Sequence, residues 1–197
     1  MTLLIQYTLI FASVLMLVAL GGCFAERSGV INIGLEGIMV IGALGGALVL
    51  KFMPVSVGAP VMVITTVIVS ALFGLVFSLL LAVAAINFKA DQTIVGTALN
   101  MLAPALVLFL VRLIAKQNQL LLLKGDSASW FMIKKTMLGF DRTAELNFFQ
   151  ETFLNKVYLS NYVCVLVFII LAIILYKTKF GLRLRACGEN PQAADSL

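Results

Sequence analysis

The stretch Ala25–Gly37, AERSGVINIGLEG, lies between two apolar runs and decides how the chain is read. It sets Glu26, Arg27, Asn32 and Glu36 among glycines, where the flanking sequence belongs in lipid. A carboxylate at bilayer depth is costly by any insertion scale. Buried polar groups and irregular backbone survive there only against protein or a water-filled cavity. The stretch therefore points to function as well as to fold.

Working outward, apolar runs of spanning length lie on both sides. A span needs about 20 predominantly apolar residues. Leu3–Phe24, Gly58–Ala85, Thr93–Ala115 and Tyr158–Tyr176 qualify, and Ile38–Phe52 is a short, Gly-rich fifth. The composition agrees: 62% of the 197 residues are apolar, 12% are charged and the mean hydropathy is +1.11. A soluble domain carries about 25% charged residues. The predicted fold is an all-α, polytopic membrane helical bundle with about five spans in this stretch of chain.

The formal charge of +5 marks membrane-flanking loops rather than nucleic acid. The chain has no His, which excludes His triads, His-ligated metals and a His proton relay. Cys23, Cys164 and Cys187 are isolated and odd in number, against a disulfide framework. Leu20-Gly21-Gly22-Cys23 has the look of a lipoprotein cleavage box, but residues 1–8 carry no Lys or Arg.

Lys177, Lys179, Arg183 and Arg185 follow the last span closely and predict a cytoplasmic tail. Counting back, Lys89–Asp91 and the Glu26–Glu36 region are cytoplasmic, and the N-terminus and the loop Lys116–Val157 are outside. That loop holds Trp130, Phe131, Phe140, Phe148, Phe149 and Phe153 among mixed charges. Such aromatics suit either a membrane interface or a folded surface loop. The expected division is a partial membrane domain over 1–176, with extracytoplasmic loop 116–157, and a cytoplasmic loop over 177–197.

Three constellations stand out. If Ile31–Gly46 is helical, Asn32 and Glu36 share a face, and Gly42 and Gly46 form a GxxxG packing pair. Glu36 is then either a pathway residue or a carboxylate at the favourable end of a helix dipole. In the fourth span Thr93, Gly96, Thr97, Asn100 and Pro104 follow three-and-four spacing, with Gln92 just ahead. That stripe lines a solute path or packs and hydrogen-bonds between helices, with Gly96 among the small packing residues. Finally, Lys179–Leu197 reads as a basic stretch, a Gly-Glu-Asn-Pro turn and a short helix. Asn190 suits its N-cap and Pro191 its first position. The tail either sets topology or docks a partner. Nothing ends that last helix, so the chain reads as part of a longer one. Phosphate-loop, HExxH and GxSxG signatures are absent.

ERSGVINIGLEGIM, ADQTIVGTALNMLA and FGLRLRACGENPQAAD together resemble the ABC-transporter permeases of the branched-chain amino acid, ribose and nucleoside group. Within that group they are most similar to nucleoside or simple-sugar permeases. The resemblance implies a non-enzymatic membrane subunit of an ATP-driven importer in the cell membrane, and a second permease subunit, in such permeases often a non-identical one. It implies cytoplasmic ATPase subunits, which bind the ATP, and an extracytoplasmic solute-binding lipoprotein. This chain is expected to bind no cofactor or metal itself. By the same resemblance, Gly181, Arg183, Arg185, Gly188, Glu189, Asn190, Pro191 and Ala194 form the ATPase-coupling loop. Asn32, Glu36 and Asn100 match polar positions of the membrane core, and Gln92, Thr93 and Thr97 join them as pathway candidates. Family members continue with further spans after the coupling loop. The rival reading is a secondary transporter or channel using Glu36 as an ion or proton site.

Overall fold

The computed structural model describes residues 1–54, 57–117, 119, 132–133, 147–155 and 157–195. In chain order these form α1 (Thr2–Arg27), α2 (Leu35–Phe52), α3 (Ala59–Ile86), α4 (Gln92–Ala115) and β1 (Met132–Ile133). Then come α5 (Phe148–Leu154), β2 (Val157–Tyr158), α6 (Leu159–Lys177), α7 (Lys179–Glu189) and α8 (Pro191–Asp195). Five helices, α1 to α4 and α6, are long and apolar enough to cross a membrane. The all-α, multi-pass reading of the sequence holds. Trp130, Phe131 and Phe140 lie outside the described residues.

The chain divides into two compact units, Ala25–Ser127 and Met1–Phe24 with Ala128–Leu197. In the first, α2 and α4 pack directly and run parallel, with their starts together, and α3 runs back along α2. Ile41, Phe77, Leu81, Leu99 and Ala103 form its core, flanked by Ile38, Phe73, Val95, Leu106 and Val107. Without a hydrophobic force between helices in lipid, such packing rests on close van der Waals contact, which small residues permit. A Cβ at Gly45 would lie 2.7 Å from Phe73 Cγ, and one at Gly46 2.5 Å from Ser70 Oγ. At Gly42 it would lie 3.2 Å from the Ser70 carbonyl. α2 thus lies against α3 through three glycines, of which sequence spacing singles out two.

In the other unit α1 and α6 are parallel. Ser13 and Asn161 are buried in it, with Ser13 Oγ 3.4 Å from Asn161 Oδ1. α5 opens on a capping box between Asn147 and Gln150 and is tied to both spans by its carbonyls. β1 and β2 pair antiparallel, Met132 opposite Tyr158 and Ile133 opposite Val157.

Gly45→Ala should lower the thermal stability of the solubilised protein by about 1–3 kcal/mol through overpacking against Phe73. Gly21→Ala, whose added methyl meets nothing within 4 Å, should leave the unfolding temperature unchanged or raise it. Equal effects of the two would show that α2 does not rest on α3 in this way.

Candidate functional site

The break ahead of α2 begins where α1 closes. Gly29 N–H donates to the Glu26 carbonyl at 3.0 Å and Val30 N–H to the Ala25 carbonyl at 3.1 Å. This is a Schellman closure. Gly29 sits at φ 83°, a conformation that costs glycine alone nothing. Ser28 Oγ donates to the same Ala25 carbonyl at 2.7 Å. From Val30 to Gly34 the backbone is not helical, so its amides and carbonyls need partners from elsewhere.

α4 supplies them. Gln92 Oε1 accepts from Ile31 N–H at 2.9 Å. Asn100 Nδ2 donates to the Ile33 carbonyl at 2.8 Å, and its Oδ1 accepts from Gly37 N–H at 2.7 Å. Gly37 is in the first turn of α2, where amides have no intrahelical acceptor. Gly34 caps α2 without a side-chain hydrogen bond. Asn100 therefore performs an N-cap's task from a neighbouring helix. The two partners also settle its amide orientation, since a carbonyl needs a donor and an N–H an acceptor.

The approach is close enough to require glycine on both sides. A Cβ at Gly96 would lie 2.9 Å from Gly34 N, and one at Gly37 2.9 Å from the Leu99 carbonyl and 3.2 Å from Ala103 Cβ. Pro104 lacks an N–H, so it also releases the Asn100 backbone carbonyl from the helix ladder. At the start of α4, Asp91 accepts from Thr93 N–H at 2.8 Å and Ile94 N–H at 3.2 Å. The Ile94 amide first, then the Thr93 amide, holds its carboxyl below the ordinary aspartate value.

The structure brings Asn32, Gln92, Gly96 and Asn100 together. Asn32 lies ahead of α2 rather than on it, so the expected shared helical face with Glu36 does not form. Its Oδ1 is enclosed with no hydrogen-bond partner among the described residues. Glu36 is exposed in the first turn of α2, at the positive end of the helix dipole. Thr93 and Thr97 are also exposed, Thr97 Oγ1 donating to the Thr93 carbonyl at 2.7 Å. Sequence reading passed over Gly34 and Gly37, although their spacing opposite Gly96 and Ala103 was there to see. The assembled groups are neutral donors and acceptors. Among the described residues no three His, Cys, Asp or Glu gather to hold a metal ion.

At the tail, the basic stretch is itself helix α7, and Gly188 and Glu189 end it rather than forming a turn. Thr178 makes the corner: its Oγ1 donates to the Ile174 carbonyl at 2.6 Å and accepts from Gly181 N–H at 3.3 Å. Gly181 is buried, and a Cβ there would overlap the Leu175 carbonyl. Arg185 Nε donates to the Gly181 carbonyl at 3.3 Å, with the guanidinium 5.6 Å from the Tyr176 ring centre. Asn190 is the one residue between α7 and α8. Its N–H donates to the Ala186 carbonyl and its carbonyl accepts from Ala194 N–H, both at 3.0 Å. Arg183, Glu189 and Pro191 are exposed; Gly188 and Ala194 are half-buried.

Residues 4–197 match the family described as the branched-chain amino acid transport system permease component. The chain belongs to this permease family. It is 39% identical over 197 residues to the guanosine ABC transporter permease protein NupQ of Bacillus subtilis, covering all of this chain and 59% of that protein. It is 35% identical over 189 residues to the nucleoside ABC transporter permease protein NupC of Lactococcus lactis, covering 96% of this chain and 56% of that one. A putative glucose ABC transporter permease, TsgC13 of Haloferax volcanii, is 27% identical over 208 residues, with coverage of 98% and 54%. The permease chain thus spans a little over half the length of these relatives. No solved structure matches it.

In this permease, Asn100→Ala strands the Gly37 amide and the Ile33 carbonyl, at a cost of about 1–3 kcal/mol for the unpaired groups. Thermal unfolding should register that loss. Thr97→Ala, which removes only a local bond on an exposed face, should change stability by less than about 0.5 kcal/mol. Matching losses would remove Asn100 from the special role given it.

Proposed function

We propose that the protein containing this chain is the membrane permease of an ATP-driven importer and that its solute is a nucleoside. Whole-chain identity with NupQ and NupC carries the reading. The chemistry around the break supports it: the amide of Asn32 and the hydroxyls of Thr93 and Thr97 suit a neutral solute bearing hydroxyls and ring nitrogens. Gln92 and Asn100 spend their side chains on backbone, which leaves Asn32, Thr93, Thr97 and the exposed Glu36 to meet the solute.

The partners follow from the same reading: cytoplasmic ATPase subunits that bind ATP, a second permease subunit, and a solute-binding lipoprotein on the outer face of the cell membrane. α7 and α8 receive the ATPase. Exposed Arg183, Glu189 and Pro191 form the contact. The Gly181 corner keeps α7 tight on the end of α6, so that movement at the tail reaches the span.

The test uses the full-length protein reconstituted with its ATPase and binding lipoprotein. Labelled guanosine should accumulate only with ATP. Arg183→Glu should cut uptake about tenfold, as a loss of about 1.4 kcal/mol at the contact would, with guanosine binding to the lipoprotein unchanged. Uptake driven by an ion gradient without ATP would overturn the proposal in favour of a secondary transporter.

A further inference from the structure

α5 carries three phenylalanines that no part of the transport reading uses. Phe148, Phe149 and Phe153 are 51%, 72% and 39% exposed, in a seven-residue helix whose buried contact is Thr152. The rings form a cluster of their own. Phe148 and Phe149 meet edge-on with centroids 6.0 Å apart, and Phe149 stacks with Phe153 at 6.4 Å. Exposed aromatic clusters mark an interaction surface.

The hydrogen bonds of α5 fix its level in the bundle. Gln6 Nε2 donates to the carbonyls of Glu151, Thr152 and Asn155, at 3.2, 3.3 and 2.8 Å. Tyr162 Oη donates to the Phe153 carbonyl. The last carbonyls of α5 are thus held by the first turns of α1 and α6. α1 has 26 residues, about 39 Å, against a hydrocarbon core of about 30 Å. Its excess puts Gln6, about 6 Å from the helix start, close to the edge of the hydrocarbon. α6 has 19 residues, about 28 Å and close to the hydrocarbon thickness, and Asn161 in its first turn lies beside Ser13, about two turns farther along α1 than Gln6. The neighbouring surface is the apolar surface of the spans: Leu3, Leu4 and Tyr7 on α1 and Leu159 and Val163 on α6 are all exposed.

We propose that α5 is a membrane-interface anchor whose three phenylalanines insert into the head-group boundary of the bilayer, beside the starts of α1 and α6. Continuity with the exposed apolar surface of two spans selects lipid over a protein partner. A short helix with three exposed aromatics suits a depth of about 5–10 Å, at which the exposed Glu151 carboxylate still reaches water. The anchor would hold the end of the bundle away from α7 at a fixed level while the tail moves.

The test places a fluorophore on the cluster. Phe149→Trp is made in a background in which Trp130, the one tryptophan of these 197 residues, and every other tryptophan of the full-length protein are replaced by Phe. The full-length permease is reconstituted in phosphatidylcholine vesicles with brominated acyl chains. Bromine near the head group should quench the introduced indole more strongly than bromine near the bilayer centre, and aqueous iodide should quench it little. Leu166→Trp, in the same background, gives the deep reference from the exposed middle of α6. Strong iodide quenching with none from lipid would overturn the anchor, and shielding from iodide on adding the binding lipoprotein would then mark a protein dock. Quenching by neither would show that protein covers the cluster, and would overturn it too. If the tryptophan-free background fails to fold, benzoylphenylalanine at position 149, photolysed in the intact membrane, decides the same question. Lipid adducts support the anchor and protein adducts overturn it.

Discussion

One amide side chain makes an irregular membrane backbone tenable. Hydrocarbon offers no hydrogen bonds, so a chain that leaves the helix near lipid must find every partner inside the protein. Residues 30–34 leave it. Asn100, reaching from α4, answers both the Ile33 carbonyl and the first-turn amide of Gly37. An apolar residue there would leave two polar groups without partners, and a charged one would serve only one of them. Gln92 repeats the device once more at Ile31. The rest of the Ala25–Ser127 unit arranges itself around this contact.

Those bonds require close approach, and close approach requires glycine. Gly96 and Gly37 lie where a methyl group would meet backbone across the contact. Farther along α2 and toward α3, a methyl at Gly42 would meet the Ser70 carbonyl, and one at Gly45 or Gly46 the side chain of Phe73 or Ser70. α2 is the most glycine-rich of the spans because it has close neighbours over most of its length. The Gly181 corner repeats the principle at the tail, where α7 turns back onto the last carbonyls of α6. This seating of the two helices admits only glycine at 181, since any Cβ would overlap the Leu175 and Ile174 carbonyls.

The five spans were legible because long apolar runs in lipid admit almost no other structure. The start of α2 was not. Asn32 and Glu36 have helical spacing, but Gly29 at positive φ closes α1 early, and Gly34 caps α2 without a side chain to announce it. Periodicity cannot register a cap supplied 63 residues away by Asn100. The polar stripe on α4 was visible, but not that Gln92 and Asn100 turn to backbone while Thr93 and Thr97 face outward. α5 was missed although its Asn147–Gln150 capping box is written in the sequence, because the mixed composition around it reads as loop. α7 hid behind its charges, although Thr178 ahead of it is a good N-cap.

Amide hydrogen exchange at Gly37, in the permease reconstituted in bilayers, bears on this account most directly. First-turn amides of a helix normally exchange freely for want of an acceptor. With Asn100 Oδ1 in place, the Gly37 amide should be as protected as those in the middle of α2. Exchange at the rate of an unbonded first-turn amide would mean that α4 does not hold the break, and the contact on which the unit is built would be gone.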